Sequence, residues 1–182
     1  MKLFCFLLGS LGMAAEVTEK DVSPVFSAVV NGHSIQVRMT YAVLDPKTRK
    51  IEKREVKTES GVHDQWFLQD KAVLGTDNTD PAKGGNNDPP KLPDVIESIT
   101  ITWDGKVQII PPALFDHIVN PHRGTNLNKS LAGLMFLVDP DGDTILIDMG
   151  IGDGGAATGI TWRFSKDGSS TILPFTLTER GG

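Results

Sequence analysis

Residues 134–175 read LMFLVDPDGDTILIDMGIGDGGAATGITWRFSKDGSSTILPF, and this stretch decides the fold. In Ile160–Ser165 the apolar Ile160, Trp162 and Phe164 alternate with Thr161, Arg163 and Ser165. That period of two sends each set to its own face of a β-strand. Lys166-Asp167-Gly168 offers the positive φ of a tight hairpin, and Ser170–Phe175 returns from it. Upstream, Leu134–Val138 and Thr144–Met149 flank Asp139-Pro140-Asp141-Gly142-Asp143, where proline and glycine together specify a turn. Both flanking segments are apolar at nearly every position, the pattern of central strands buried on both faces. The core is expected here.

Outward from this stretch, Ser98–Trp103 sets Ile99, Ile101 and Trp103 against Ser98, Thr100 and Thr102; Asp104-Gly105 turns and Val107–Ile110 returns. Pro111-Pro112 suits the entry of a helix over Ala113–Val119, with Leu114, Phe115 and Ile118 on one side and Asn120-Pro121 as its stop. Near the other end, Val25–Val30 leads into Asn31-Gly32, a strong hairpin signal. The return strand places Ile35, Val37, Met39, Tyr41 and Val43 on one face and Ser34, Gln36, Arg38, Thr40 and Ala42 on the other. Lys47–Lys57 is densely charged, but Glu52 and Glu55 interrupt it and no aromatic residue is interleaved. It reads as a solvated edge strand, since lysines guard sheet edges, and not as a polyanion surface. Val62–Leu68 is the last strand expected in this half.

Residues 70–93, DKAVLGTDNTDPAKGGNNDPPKLP, have little to bury and read as a long irregular loop. The fold is expected to be mainly β, an antiparallel β-sandwich or two packed small sheets, with one short helix. Residues 16–182 form a single β-rich domain in this reading; the alternative is two small β halves, 24–69 and 94–178, joined by the loop.

Residues 1–15, MKLFCFLLGSLGMAA, have a basic start at Lys2, an apolar run from Leu3 to Met13, and small residues at Ala14 and Ala15. This is the pattern of a secretory signal peptide, and export to a periplasmic or extracellular space is the expectation. Cys5 is the only cysteine, so the mature chain would hold no disulfide, thiol nucleophile or thiolate metal site. Without Lys2 the chain carries 17 basic and 23 acidic side chains. The acid is concentrated in residues 94–182, with eleven acidic against six basic side chains, which disfavours nucleic acid and suits cations. No apolar run in the mature chain approaches the length of a membrane span.

Asp139, Asp141 and Asp143 recur at alternate positions, with Asp148 and Asp153 beyond. Oxygen ligands so spaced suit calcium, and Asp139, Asp141, Asp143 and Asp148 are the candidate metal ligands. The twelve-residue calcium loop fails here, because its sixth and twelfth positions are Thr144 and Gly150. Three like charges in one turn need a cation or a basic group to compensate them. Gly150–Gly159 lacks the lysine and following helix of a phosphate cradle and reads as a corner where strands cross closely. His117 and His122 miss the spacing of a helical zinc pair, and His33 and His63 lie elsewhere in the chain. No Gly-x-Ser-x-Gly elbow is present. Trp103 and Trp162 share strand faces with isoleucines and read as core; Trp66 could take part in a stacking platform. Asn128-Lys129-Ser130 matches a glycosylation acceptor.

Composition and motifs together lead to an exported β-sandwich binding or structural module, calcium its candidate ion, its partner an unknown ligand or a component of the cell envelope. The alternative is a hydrolase that uses paired carboxylates of the acidic C-terminal half.

Overall fold

The computed structural model describes residues 25–75, 81, 92–122, 134–151 and 158–173. Residues 1–15, expected to be a signal peptide, most of 70–93, Asp153 with most of the glycine-rich corner, and Asn128 lie outside them.

The chain is mainly β, and its described residues form three antiparallel sheets. β1 (Val25–Val30), β2 (His33–Val43), β6 (Asp94–Trp103) and β7 (Lys106–Ile109) pair in the order β1-β2-β6-β7 to make sheet 1. β8 (Leu134–Val138), β9 (Thr144–Ile151), β10 (Thr158–Ser165) and β11 (Ser170–Leu173) pair as β11-β10-β9-β8 to make sheet 2. β3 (Ile51–Thr58), β4 (Gly61–Leu68) and β5 (Lys71–Ala72) form a smaller sheet 3. Sheets 1 and 2 face each other as a sandwich. Phe26, Ile35, Val37, Met39, Ile99, Ile101 and Trp103 from one meet Phe136, Ile145, Ile147, Ile160, Trp162 and Phe164 from the other in one buried core. The Phe26 and Phe136 rings stack at 4.8 Å, fixing β1 over β8.

Alternation is the reason these strands face inward as they do. Leu134, Phe136 and Val138 are buried while Met135 and Leu137 are not, and Ile145, Ile147 and Met149 are buried while Leu146 and Asp148 are not. The expectation that both strands are buried on both faces is therefore corrected. β8 is an edge strand, and the second apolar set of β8 and β9 lines the outside of the sandwich. On β2, Val43 leaves the inward set: it follows a register shift at Thr40–Tyr41 and is exposed.

The helix expected over Ala113–Val119 is also corrected. Only Pro112–Leu114 is helical, a single 3-10 turn. Beyond it, the β-branched Ile118 and Val119 are drawn into bridges, Leu74 with Ile118 and Val95 with Val119, and Pro121 bridges Ile151. Ile118–Pro121 thus straps the three sheets together. Gly75 permits this approach, since a Cβ there would fall 2.2 Å from the Val119 carbonyl oxygen, at φ +92°. Lys71–Leu74 is part of this ordered joint, so the segment at 70–93 begins as strand.

Sheet 3 docks on a second, smaller cluster of Leu44, Leu68, Val73, Val95 and Val119, with Trp66 packed against it. Its edge strand β3 carries the charges expected of an edge. Lys50 lies 3.0 Å from Asp70, Lys53 pairs with Asp64, and the Arg54 guanidinium stands 4.4 Å over the Phe67 ring.

Candidate functional site: one tip and one outer face

Four turns meet at one end of the sandwich: Asn31-Gly32, Asp104-Gly105, Asp139–Asp143 and the β10–β11 turn at Lys166. Asp104 accepts the Ser34 N–H at 2.8 Å and lies 2.9 Å from His33 Nδ1, while Lys166 Nζ is 3.0 Å from both Asp104 Oδ2 and His33 Nδ1. The Lys166 hydrogen bond, then the Ser34 N–H and His33, hold the Asp104 carboxyl well below the usual carboxylate range. Gly142 packs against this group, and a Cβ on it would sit 2.8 Å from the Val30 carbonyl oxygen.

The acidic turn divides its labour among its residues. Asp139 Oδ1 accepts the backbone N–H groups of Asp143 and Thr144 at 2.9 and 3.0 Å, closing the turn. Asp143 faces Lys166, with its carboxylate 3.8 Å from Nζ and its carbonyl accepting the Lys166 N–H at 2.8 Å. Asp141 is exposed. The basic group such a turn calls for is thus Lys166, arriving from the neighbouring hairpin. Asp148 does not join the turn. It lies four residues beyond Thr144 along β9, about 13 Å at 3.3 Å per residue. Among the described residues, no three His, Cys, Asp or Glu side chains group as metal ligands.

Asp148 belongs instead to the outer face of sheet 2. Strand register builds that face in rows. One row runs Met135, Asp148, Thr161, Leu173, and the next Leu137, Leu146, Arg163, Thr171. Asp148 Oδ1 accepts the Thr161 hydroxyl at 2.6 Å, on a face where Met135, Leu137, Leu146 and Leu173 alternate with Thr161, Arg163 and Thr171. Leu137, Val138, Asp139, Thr144, Leu146, Arg163 and Leu173 line an open hollow of about 280 Å³ here, bordering the acidic turn. That lies just below the roughly 300–1,000 Å³ of pockets that enclose a drug-sized ligand. It fits side chains from a partner surface better than an engulfed molecule.

Trp103 and Trp162 are core, and their indole N–H groups donate to Gln108 Oε1 and the Leu114 carbonyl oxygen. Trp66 packs half-buried against the smaller cluster. His117 is buried at the joint with sheet 3, 3.4 Å from Asp116, which also takes Lys71 at 3.1 Å. Desolvation holds its imidazole below the ordinary histidine range. The displaced carboxylates, Asp70, Asp104 and Asp167, all shift downward, towards the ionised form and away from a general acid. Sequence reasoning missed Met135, Leu137, Leu146 and Leu173 as half-buried residues of an outer face. The available signal was that an apolar residue at both parities of a strand needs two covers, and a sandwich supplies one.

Comparison with protein-family models, with curated proteins and with solved structures finds no match to this chain.

Proposed function

We propose that this chain is an exported binding module whose working surface is the outer face of sheet 2. The observation that carries the reading is the apolar hollow bounded by Leu137, Leu146 and Leu173, with Asp139 and Arg163 at its rim. An outward sheet face in contact with water is normally polar, and contiguous apolar surface rimmed by charge is the mark of a contact site. Export rests on the residue pattern of 1–15, and N-terminal sequencing of the product made with its native start should give Ala15 or Glu16; a product beginning at Met1 would refute it.

The surface itself is tested with the apolar dye anilinonaphthalene sulfonate. Leu146→Arg, on this face, should lower dye fluorescence several-fold, and Thr100→Arg, on the outer face of sheet 1, should leave it unchanged. Equal fluorescence from the wild type and both variants would refute the reading.

Calcium attaches to the same end of sheet 2 as a second proposal. The exposed Asp141 and the Lys166-facing Asp143 are the carboxylates it would draw together. In this arrangement the ion competes with Lys166.

A further inference from the structure

Asp148 and Arg163 share the outer face of sheet 2 without sharing a bond. The Asp148 carboxylate is half-buried and takes the Thr161 hydroxyl; among the described residues no cation reaches it and no carboxylate reaches Arg163. An acid partly withdrawn from water among Met135, Leu137 and Leu146 is better placed if a cation arrives from outside. The exposed arginine one diagonal away is better placed if a carboxylate arrives. Any occupant that serves the face must therefore bring apolar surface, one positive and one negative group, at the spacing of a β-sheet diagonal.

A second copy of the chain brings that set. Asp148 is paired across the strands with Thr161, and Arg163 stands two residues on, so the two positions are diagonal neighbours about 7–8 Å apart. A two-fold axis lying in the face and passing midway between them exchanges the two positions. Each Asp148 then lies over Arg163 of its partner, and both pairs form from one operation, as an isologous interface requires. Leu146, cross-strand partner of Arg163 and two residues from Asp148, falls beside the axis and meets its own copy. Resting on the reading of this face as the working surface, we infer that its occupant is a second copy of this chain, docked face to face through reciprocal Asp148–Arg163 pairs around a Leu146 contact.

The size of the face sets the strength. Four strands of four to eight residues at about 4.8 Å spacing and 3.3 Å rise give roughly 300–400 Å² per copy. Twice that falls below the roughly 1,200–2,000 Å² of standard stable interfaces, so the dimer is weak and depends on concentration.

Sedimentation analysis of the whole mature chain over about 10 μM to 1 mM, a range that brackets weak association, provides the test. The wild type should shift from monomer towards dimer. Asp148→Arg alone and Arg163→Asp alone should each weaken association at least about tenfold, because like charges then face each other across the axis. An equimolar mixture of those two variants should dimerise again, since one copy carries two arginines and the other two aspartates at the exchanged positions. No effect on folding within one chain can mimic that recovery. A wild type that stays monomeric throughout, single variants that associate like the wild type, or a mixture that stays monomeric would each overturn the proposal. The dye measurement separates the two readings: a monomeric chain whose dye binding still depends on Leu146 keeps the working face and loses only this occupant.

Discussion

Sheets 1 and 2 share one core and differ in what they show outside. The two central strands of sheet 1 present Ser34, Gln36, Arg38 and Thr40 beside Ser98, Thr100 and Thr102, with Thr40 and Ser98 hydroxyls 2.7 Å apart. Its exposed apolar residues are Val29 on one edge strand, Val107 and Ile109 on the other, and Val43 at the very end of β2, beyond those polar residues. On sheet 2 the outer face differs by one apolar residue on a central strand, Leu146, between the apolar residues of its edge strands. Met135, Leu137, Leu146 and Leu173 run across three of its four strands, and the charges of Asp148 and Arg163 stand among them. The inward residues of a sandwich are dictated by the core, whereas the outward residues are free to serve water or a partner. On the reading proposed above, one sheet serves each.

The largest expected effect breaks both faces together. Trp162 is fully buried between the sheets, and Trp162→Ala should cost about 3–5 kcal/mol by removing both transfer energy and packing. Chemical denaturation should show the loss as a lower midpoint. A cost under about 1 kcal/mol, the range of ordinary surface substitutions, would mean that the two sheets do not share a core.

A smaller effect concerns the strap that joins sheet 3 to the sandwich. Burial lowers the His117 pKa, so the folded joint prefers the neutral imidazole. The stability this contributes is present above the unfolded value near 6.5 and is lost as pH falls through the lower folded value. Asp116, Lys71 and Arg49 are the charged side chains bonded around this joint. Acidification below 6.5 should lower the melting temperature, and His117→Asn should flatten that slope. An unchanged slope in the variant would move the proton-sensitive element elsewhere.

The smallest effect lies at the tip. Lys166 ties Asp104 on sheet 1 to Asp143 on sheet 2 from a partly exposed position, so Lys166→Met should cost about 0–1 kcal/mol, as exposed ion pairs do. The same variant removes the group with which calcium is proposed to compete. Its melting temperature should rise more with calcium than that of the wild type, by about 2–4 °C per kcal/mol of binding. Indifference of both proteins to calcium would leave Asp139, Asp141 and Asp143 as turn residues only.

Much of the fold could be read from period-two patterns, because a strand's inward set is a local property. Ile160, Trp162 and Phe164 announced β10 and its buried face, and Ile35, Val37 and Met39 did the same for β2. Two features could not be read locally. The strap at Ile118–Pro121 exists because Leu74, Val95 and Ile151 converge on it from distant parts of the chain, while Pro111-Pro112 locally favours a helix. The candidate face was misread for a related reason. Leu137 and Leu146 look like core in sequence, and only the edge position of β8 and the two-layer architecture turn them outward. The acidic turn was visible, but its compensating charge was not, since Lys166 arrives from a separate hairpin.

The most direct test of the contrast between the faces is photocrosslinking from each in turn. Benzoylphenylalanine would replace Leu146 in one preparation of the full chain and Thr100 in another, and the adducts would be mapped by mass spectrometry. The expected result is an intermolecular adduct from position 146 onto the Met135–Leu173 surface of a second copy, with none above background from position 100. Adducts from position 100 as abundant as those from 146 would contradict the assignment of the outer face of sheet 2 as the working surface, and none from 146 at the highest concentration tested would remove a second copy as its occupant.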